Sequence, residues 1–277
     1  MEILNFGSSI KNGNYILHSE FKSVHNYVND QEIVSLVSTE VGSGPNNIVL
    51  NNFPITVEQN LTVSQSTITV GNTAIVVDHI ELQTEDNCFI TNTSTLTIAI
   101  EKLTEEMSKR ISTKSLGFLL FPGNEVFFTT AFEKAFISHV KNTMQDFSIE
   151  KLPEIAKKMK GVGFGLTPSG DDFNCGILYA LNCLQQTCRR NFSQLIEKCF
   201  QNSIGTNLIS NTFLKFAYSN QYYENFYKLL KALKLNCNDS MIKYAKKIIN
   251  SGHTSGSDML TGFILTMKGV LNDKKFS

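Results

Sequence analysis

The apolar positions of this chain alternate in its first third and recur three and four residues apart in the remainder, so the sequence predicts strands followed by helices. From about residue 13 to residue 90, Val, Ile and Thr are interrupted by short polar breaks. Two hairpins stand out. Ser66-Thr67-Ile68-Thr69-Val70 and Thr73-Ala74-Ile75-Val76-Val77 flank Gly71-Asn72, a two-residue connection of residues that accept positive dihedrals. Phe21 to Val28 and Glu32 to Val37 flank Asn29-Asp30-Gln31. Between these hairpins, Gly42-Ser43-Gly44-Pro45-Asn46-Asn47 is a turn cluster leading into the apolar Ile48-Val49-Leu50. It reads as a tight loop between strands, with a second reading in which its amides or Asn side chains line the same pocket as the glycine-rich loop Gly161–Asp172. After Asn92 the period changes: Leu96, Ile98, Ala99, Leu103 and Met107 are interleaved with Glu, Lys and Arg. Helices are predicted over Ser94–Ile111, Ala131–Phe147, Leu152–Lys160, Ser169–Cys188, Asn191–Asn202, Thr206–Tyr218, Gln221–Leu233, Asp239–Asn250 and Ser255–Leu271; Ser115–Phe121 is an apolar run of no clear type. The expected class is α+β: a strand-rich domain, antiparallel sheet or barrel-like, over residues 1–92, then a mainly α-helical domain over residues 93–277.

Composition narrows the function more than the fold. Lys+Arg and Asp+Glu are equal at 25 each, so no global field draws the chain to nucleic acid or to an anionic membrane, and an anionic ligand must be bound by a local device. Met1-Glu2-Ile3-Leu4-Asn5 lacks the basic start and apolar run of a signal peptide, and no apolar segment reaches the length of a membrane span. A soluble, cytoplasmic protein is expected. Cys88, Cys175, Cys183, Cys188, Cys199 and Cys237 form no C-x-x-C pair and read as reduced core thiols; His18, His25, His79 and His139 lack a ligand spacing. No cofactor is called for.

The chemistry concentrates in Gly161-Val162-Gly163-Phe164-Gly165-Leu166-Thr167-Pro168-Ser169-Gly170-Asp171-Asp172. Alternate glycines open backbone conformations closed to other residues, and Pro168 ends that freedom. Ser169 reads as a helix N-cap with Asp172 three residues on in a capping box, followed by the stripe Phe173, Ile177, Ala180, Leu184. A dinucleotide fingerprint requires a preceding strand, whereas this loop follows the helical stretch ending Lys157-Lys158-Met159-Lys160. A P-loop requires Lys after its last Gly, and here Asp171 and Asp172 follow Gly170, which argues against a nucleotide-dependent kinase.

The stretch is echoed at Gly252-His253-Thr254-Ser255-Gly256-Ser257-Asp258-Met259-Leu260-Thr261-Gly262: both contain S-G-x-D-x-x-x-G. Gly176 and Gly262 fall on the second turn of each helix, where a missing side chain lets two helices cross closely and brings both N-termini to one space. Two helix N-termini offer unpaired N–H groups and positive dipole ends to a small anion. The candidate substrate-binding residues are therefore Gly163, Gly165, Thr167, Ser169, Gly170, Thr254, Ser255 and Gly256. Asp172 and Asp258 are assigned to capping. Asp171, left without a capping role, is the candidate general base, acceptor for a substrate N–H or metal ligand, and His253 the candidate donor to a developing oxyanion or leaving phosphate. Thr206-Asn207-Leu208-Ile209-Ser210-Asn211-Thr212 opens a further helix that either lines this pocket or faces solvent. Cys175 and the lysines ahead of the loop read as core and surface residues.

In Gly163-Phe164-Gly165-Leu166-Thr167-Pro168-Ser169-Gly170-Asp171-Asp172-Phe173 and Gly252-His253-Thr254-Ser255-Gly256-Ser257-Asp258 the sequence resembles the AllH family, loosely extended by Thr206–Leu233 and Gly44-Pro45-Asn46. Asn174 departs from it, standing where the family has an apolar residue. The resemblance implies a subunit of an oxamate carbamoyltransferase that acts with other subunits in allantoin and purine catabolism. Such an enzyme transfers the carbamoyl group of carbamoyl phosphate to oxamate, giving oxalurate and phosphate, and both substrates are small anions. A non-catalytic subunit that assembles the complex or binds a small acid is the alternative from a different class.

Overall fold

A computed structural model describes residues 2–64, 67–76, 93–188 and 190–272. Within the predicted elements, Ser66 and Val77 lie outside the described residues, as do His79, Cys88 and the expected domain boundary at residue 92. The chain divides into two compact units: Met1–Asp86 with Gln221–Asn225, and Asn87–Asn220 with Phe226–Ser277.

The first unit is an eight-stranded, nearly closed barrel-like sheet of β1 (Ile3–Phe6), β2 (Gly13–Phe21), β3 (Val24–Val28), β4 (Ile33–Ser38), β5 (Asn47–Leu50), β6 (Asn60–Val63), β7 (Thr67–Val70) and β8 (Thr73–Val76), in the order β1-β5-β4-β3-β2-β6-β7-β8. Tyr15, Tyr27, Leu36, Ile48, Leu61 and Ile68 fill its core, and period-two patterning in β6 and β7 aims Leu61, Val63, Ile68 and Val70 inward. The β7–β8 turn needs a left-handed backbone only at Gly71, whose φ is +57°. Three features differ from the sequence reading. The segment predicted as one strand, Phe21–Val28, is split by a turn at Lys22-Ser23, where Phe21 of β2 pairs Val24 of β3. A strand, β1, precedes residue 13. And the sheet is mixed, because β4 and β5 run parallel with Ser35 opposite Asn47. That return is made by the Gly42–Asn47 cluster: Gly42 takes φ +83°, the Asn47 amide donates to Gly42 O (3.0 Å) and the Asn46 amide to Ile33 O (3.3 Å). Both Asn side chains are buried, and their amides hold the sheet unit's own backbone. Gln221–Asn225, the start of the predicted helix Gln221–Leu233, belongs to this unit, and the helix itself begins at Glu224: Tyr223 OH donates to Asn46 Oδ1 (2.7 Å), and Glu224 accepts from Ser43 N (2.8 Å).

The second unit is helical: α1 (Thr93–Ser108), α2 (Ala131–Met144), α3 (Leu152–Met159), α4 (Ser169–Cys188), α5 (Ser193–Ser203), α6 (Leu208–Tyr218), α7 (Glu224–Lys234), α8 (Asn238–Ile249) and α9 (Ser255–Leu271), with α7 starting in the segment shared with the sheet unit. The apolar run Ser115–Phe121 forms a 3₁₀ turn, Leu116–Leu119, capped by Ser115, and a second one follows at Pro122–Phe127. α4 is more than an amphipathic helix. Residues 169–184 are buried on every side, because α3, α5, α6 and α9 pack around it. Its polar residues are therefore inside and must find partners there.

Candidate functional site

The α3–α4 connection is built by backbone that only glycine allows. Gly161, Gly163 and Gly165 take φ of +70°, +117° and +93°. Val162 N donates to Met159 O (3.0 Å) and Gly170 N to Val162 O (2.8 Å), folding the loop back on the end of α3. A Cβ on Gly170 would lie 1.9 Å from Met159 O. The α8–α9 connection repeats this device: Gly252 has φ +69°, Gly256 N donates to Ser251 O (3.2 Å), and a Cβ on Gly256 would lie 1.7 Å from Ile248 O. The echo in the sequence is thus a twice-used helix–turn–helix. In each copy the glycine after the serine presses against the end of the preceding helix, and its N–H is consumed by its own turn. The N–H groups of Gly170 and Gly256, two residues expected to bind substrate, are thus bonded within their own turns.

The two later glycines bring the helices together. A Cβ on Gly176 would meet Met259 O at 2.0 Å, and one on Gly262 would meet Phe173 O at 2.2 Å, so α4 and α9 cross in backbone contact. Their first turns meet through hydroxyls. Thr167 Oγ1 donates to Asp172 Oδ2 (3.0 Å) and lies 3.1 Å from Ser255 Oγ.

The aspartates are used differently from the sequence expectation. Neither Asp172 nor Asp258 closes a capping box. α4 begins at Ser169 itself, with Pro168 O accepting from Asp171 N (2.9 Å) and Asp172 N (3.2 Å); α9 is preceded by Thr254, whose side chain makes no cap bond. Asp258 Oδ1 instead accepts from Leu116 N (2.6 Å) in the 3₁₀ turn, and Ser257 Oγ from Ser112 N (3.1 Å). Each carboxyl is met by a group outside its own helix, Asp172 by Thr167 Oγ1 and Asp258 by Leu116 N. Asp172 is 2% and Asp258 0% exposed. Burial, then the charge of Asp258, raises Asp172 well above the usual carboxylate range, against the favourable hydroxyls of Ser255 and Thr167. Burial pushes Asp258 up to about 7, opposed by the Leu116 N–H and by the nearby hydroxyls of Ser169 and Thr254. Even so, Asp258 Oδ2 is buried with no partner in hydrogen-bonding geometry. The positive ends of both helices are thus already met by the protein's own carboxyls.

Asp171, expected to be free, is the residue that ties the loop: its Oδ1 accepts from Gly161 N (2.7 Å), and it is 5% exposed. Burial raises its pKa, while the Gly161 N–H, the Ser210 hydroxyl and Lys160 oppose the rise. A general base must reach its proton, and this carboxyl is inside. His253, by contrast, is exposed on the turn before α9. Asn174 donates to Ala156 O (2.9 Å) near the end of α3, a polar use of a buried position. Cys175 is buried, with its thiol pushed well up by burial and by Asp172 and Asp171, which fits a core role. Cys183 and Cys199 are also buried; Cys237 departs from the core reading and is exposed.

In the stretch Thr206–Thr212, read as lining the pocket or facing solvent, Asn207 caps α6 by accepting from Ile209 N (3.0 Å) and Ser210 N (3.1 Å), and its amide donates to Leu166 O (2.8 Å) in the glycine loop. The signal was legible as an Asn ahead of a helix. The contact with Leu166, 41 residues away, was not.

What the loop leaves open is its amides. Among the described residues, the N–H groups of residues 163 to 167 make no hydrogen bond, and these residues are partly exposed. Phe164, between two of the glycines, leans on Phe132 (5.2 Å between ring centroids) and Phe136 (5.4 Å), which holds the loop in place. Among the described residues, no group of three or more His, Cys, Asp and Glu is placed to hold a metal ion, and no helix is long and apolar enough to cross a membrane.

Comparison with known proteins finds no match among curated proteins and none among solved structures. From Met159 at the end of α3 to Met267 in α9, a span containing both glycine-led helix starts, the chain matches the family described as oxamate carbamoyltransferase subunit AllH.

Proposed function

We propose that this chain is a subunit of a carbamoyltransferase that uses carbamoyl phosphate and oxamate, and that it holds one of these anions on the amides of residues 163 to 167. The observation that carries the reading is this set of unpaired, partly exposed N–H groups, lying inside the span that matches the AllH family. Consecutive amides in a glycine-rich turn form a concave anion-binding nest at no cost in side-chain charge. The helix ends, the other donors considered, already face Asp172 and Asp258, so the loop is the better place for an incoming anion.

In the reaction, the oxamate nitrogen attacks the carbonyl carbon of carbamoyl phosphate, a C–N bond forms, the C–O bond to phosphate breaks, and the proton lost by the nitrogen ends on the leaving phosphate. Loop amides would steady the anion and orient the two reactants, which accounts for a large part of such a rate. His253 is the exposed group beside the α9 start able to reach a leaving phosphate, with Thr167, Thr254 and Ser255 as hydroxyl partners. Asp171 acts as a positioning residue through Gly161, and Ser169 through Asp258.

The reading is tested by calorimetry of the isolated chain with carbamoyl phosphate and with oxamate. Binding of at least one, weakened about tenfold or more in Gly165→Ala because that residue sits at φ +93°, is the expected result. No heat from either ligand would sink it. A second reading, a subunit that binds a small acid without catalysing, is favoured by one observation: Asp171, Asp172 and Asp258 are all buried, so none of these three reaches a ligand on the loop. Under it, His253→Ala leaves oxalurate formation by the assembled complex unchanged.

A further inference from the structure

The two glycine-led turns are copies of one helix hairpin that differ in a single place. Ala156-Lys157-Lys158-Met159 lies at the end of α3 as Ala245-Lys246-Lys247-Ile248 lies at the end of α8. In each copy the chain then passes through a glycine at positive φ, Gly163 (+117°) or Gly252 (+69°). The N–H of the glycine after the serine returns to the residue just before it, Gly170 N to Val162 O and Gly256 N to Ser251 O. Gly176 meets Met259 of α9 as Gly262 meets Phe173 of α4, the reciprocal pattern of a two-fold contact. The difference is length. Five residues, Phe164–Pro168, separate Gly163 from Ser169, where His253 and Thr254 alone separate Gly252 from Ser255. A Cβ on Gly163 would lie 2.8 Å from Ser169 Cβ, and one on Gly252 would lie 3.4 Å from Ser255 Cβ, so in both copies the glycine and the serine already touch. Residues 164–168 are therefore an excursion from a closed base, and the second copy shows that a shorter turn makes the same hairpin.

Ordering this surplus chain costs conformational entropy, a cost the second copy avoids, yet the excursion is held at three points. Phe164 leans on Phe132 and Phe136, Thr167 Oγ1 donates to Asp172, and the Asn207 amide donates to Leu166 O (2.8 Å). The last of these sets the direction of an amide. The peptide joining Leu166 to Thr167 is planar and trans, so its C=O and N–H point opposite ways. With Leu166 O turned to Asn207, Thr167 N–H is turned away from it, to a side where it meets no acceptor among the described residues. We propose that residues 164–168 are a binding insertion in one copy of a duplicated hairpin, and that Asn207 is its positioning residue, aiming Thr167 N–H at the bound anion. The proposal rests on the reading that the loop amides hold an anion, and adds the side chain that sets their direction. It brings α6 to the site, because Asn207 Oδ1 caps that helix, accepting from Ile209 N and Ser210 N, while its amide reaches Leu166. The two duties are separable. Aspartate caps a helix as well as asparagine does, but has no N–H to donate.

Two variants of the full chain test this, each titrated by calorimetry with carbamoyl phosphate and with oxamate at a temperature where parent and variant are fully folded. Asn207→Asp keeps the cap on α6, so its melting temperature should match the parent's. It also sets a carboxylate against Leu166 O, so chymotrypsin should cut after Phe164 or Leu166 severalfold faster than in the parent. Affinity for whichever anion the parent binds should fall about tenfold or more, the worth of one hydrogen bond to a charged group. The second variant deletes Phe164–Leu166, leaving Gly163-Thr167-Pro168-Ser169 in the pattern of Gly252-His253-Thr254-Ser255. It should melt as the parent does and bind neither anion. Anion binding by the parent that Asn207→Asp retains in full, or that the folded deletion variant retains, overturns this proposal alone. No binding by the parent sinks the reading on which it rests, and the proposal with it. If the deletion variant does not fold, Asn207→Asp decides: unchanged melting with lost affinity and faster cleavage supports the assignment, and unchanged affinity overturns it.

Discussion

Replacing Gly176 by Ala tests the crossing on which the site depends. The new Cβ would sit 2.0 Å from Met259 O and 2.7 Å from Phe263 N, where ordinary contact begins at 3.4 Å. Both obstacles are backbone of α9, so no rotamer change relieves them, and the helices must part by more than 1 Å over a long shared interface. Alanine gains about 1 kcal/mol of helix propensity over glycine, which sets the opposing effect. Overpacking of a close-packed interior costs about 1–3 kcal/mol, and more where only backbone can yield. We expect the steric cost to win, with a net loss of about 2 kcal/mol, or a melting temperature lower by about 4–8 °C for a unit of this size. Gly123→Ala is the control, since nothing lies within 4 Å of the position its Cβ would take, and it should stay within about 0.5 kcal/mol of the parent. Thermal melts followed by circular dichroism give the midpoint, and exchange mass spectrometry on peptides from α4 and α9 assigns the loss to the helical unit. If Gly176→Ala melts at or above the parent, the close crossing is wrong, and the meeting of the two helix starts goes with it.

Other outcomes follow from the same geometry. Asp171→Ala removes the acceptor for Gly161 N and should raise proteolytic nicking of residues 161–168 severalfold, while Asp171→Asn, which keeps an oxygen there, should restore most of the protection; equal nicking in both would mean that charge, not the bond, holds the loop. Asn46→Ala strips buried partners from Ile33 O and from the Tyr223 hydroxyl and should cost about 1–3 kcal/mol in urea unfolding, with no loss if those groups find water instead. Cys237 is exposed, with its thiol lowered by Ser240, so a thiol reagent followed by peptide mapping should label it quickly in the native state; Cys175 and Cys199, whose thiols burial pushes up (Cys199 to about 12), should label only on unfolding.

The periods of the apolar positions determined the class, because alternation and three-to-four spacing are local consequences of how a strand and a helix aim their side chains. Local too were the glycine loop and its echo near residue 255, since left-handed backbone and missing side chains are written residue by residue. The close crossing at Gly176 and Gly262 was inferable for the same reason. What the sequence could not assign was the partner of each polar group. Asp171, Asp172 and Asp258 carry the same carboxyl, and their roles separate only when Gly161 N, Thr167 Oγ1 and Leu116 N arrive from elsewhere in the chain. The parallel pairing of β4 with β5, the transfer of Gln221–Asn225 to the sheet unit, and the contact of Asn207 with Leu166 are of the same kind. Local propensity decides which element forms, but a hydrogen bond between distant residues and the burial that shifts a carboxyl exist only once the elements have packed.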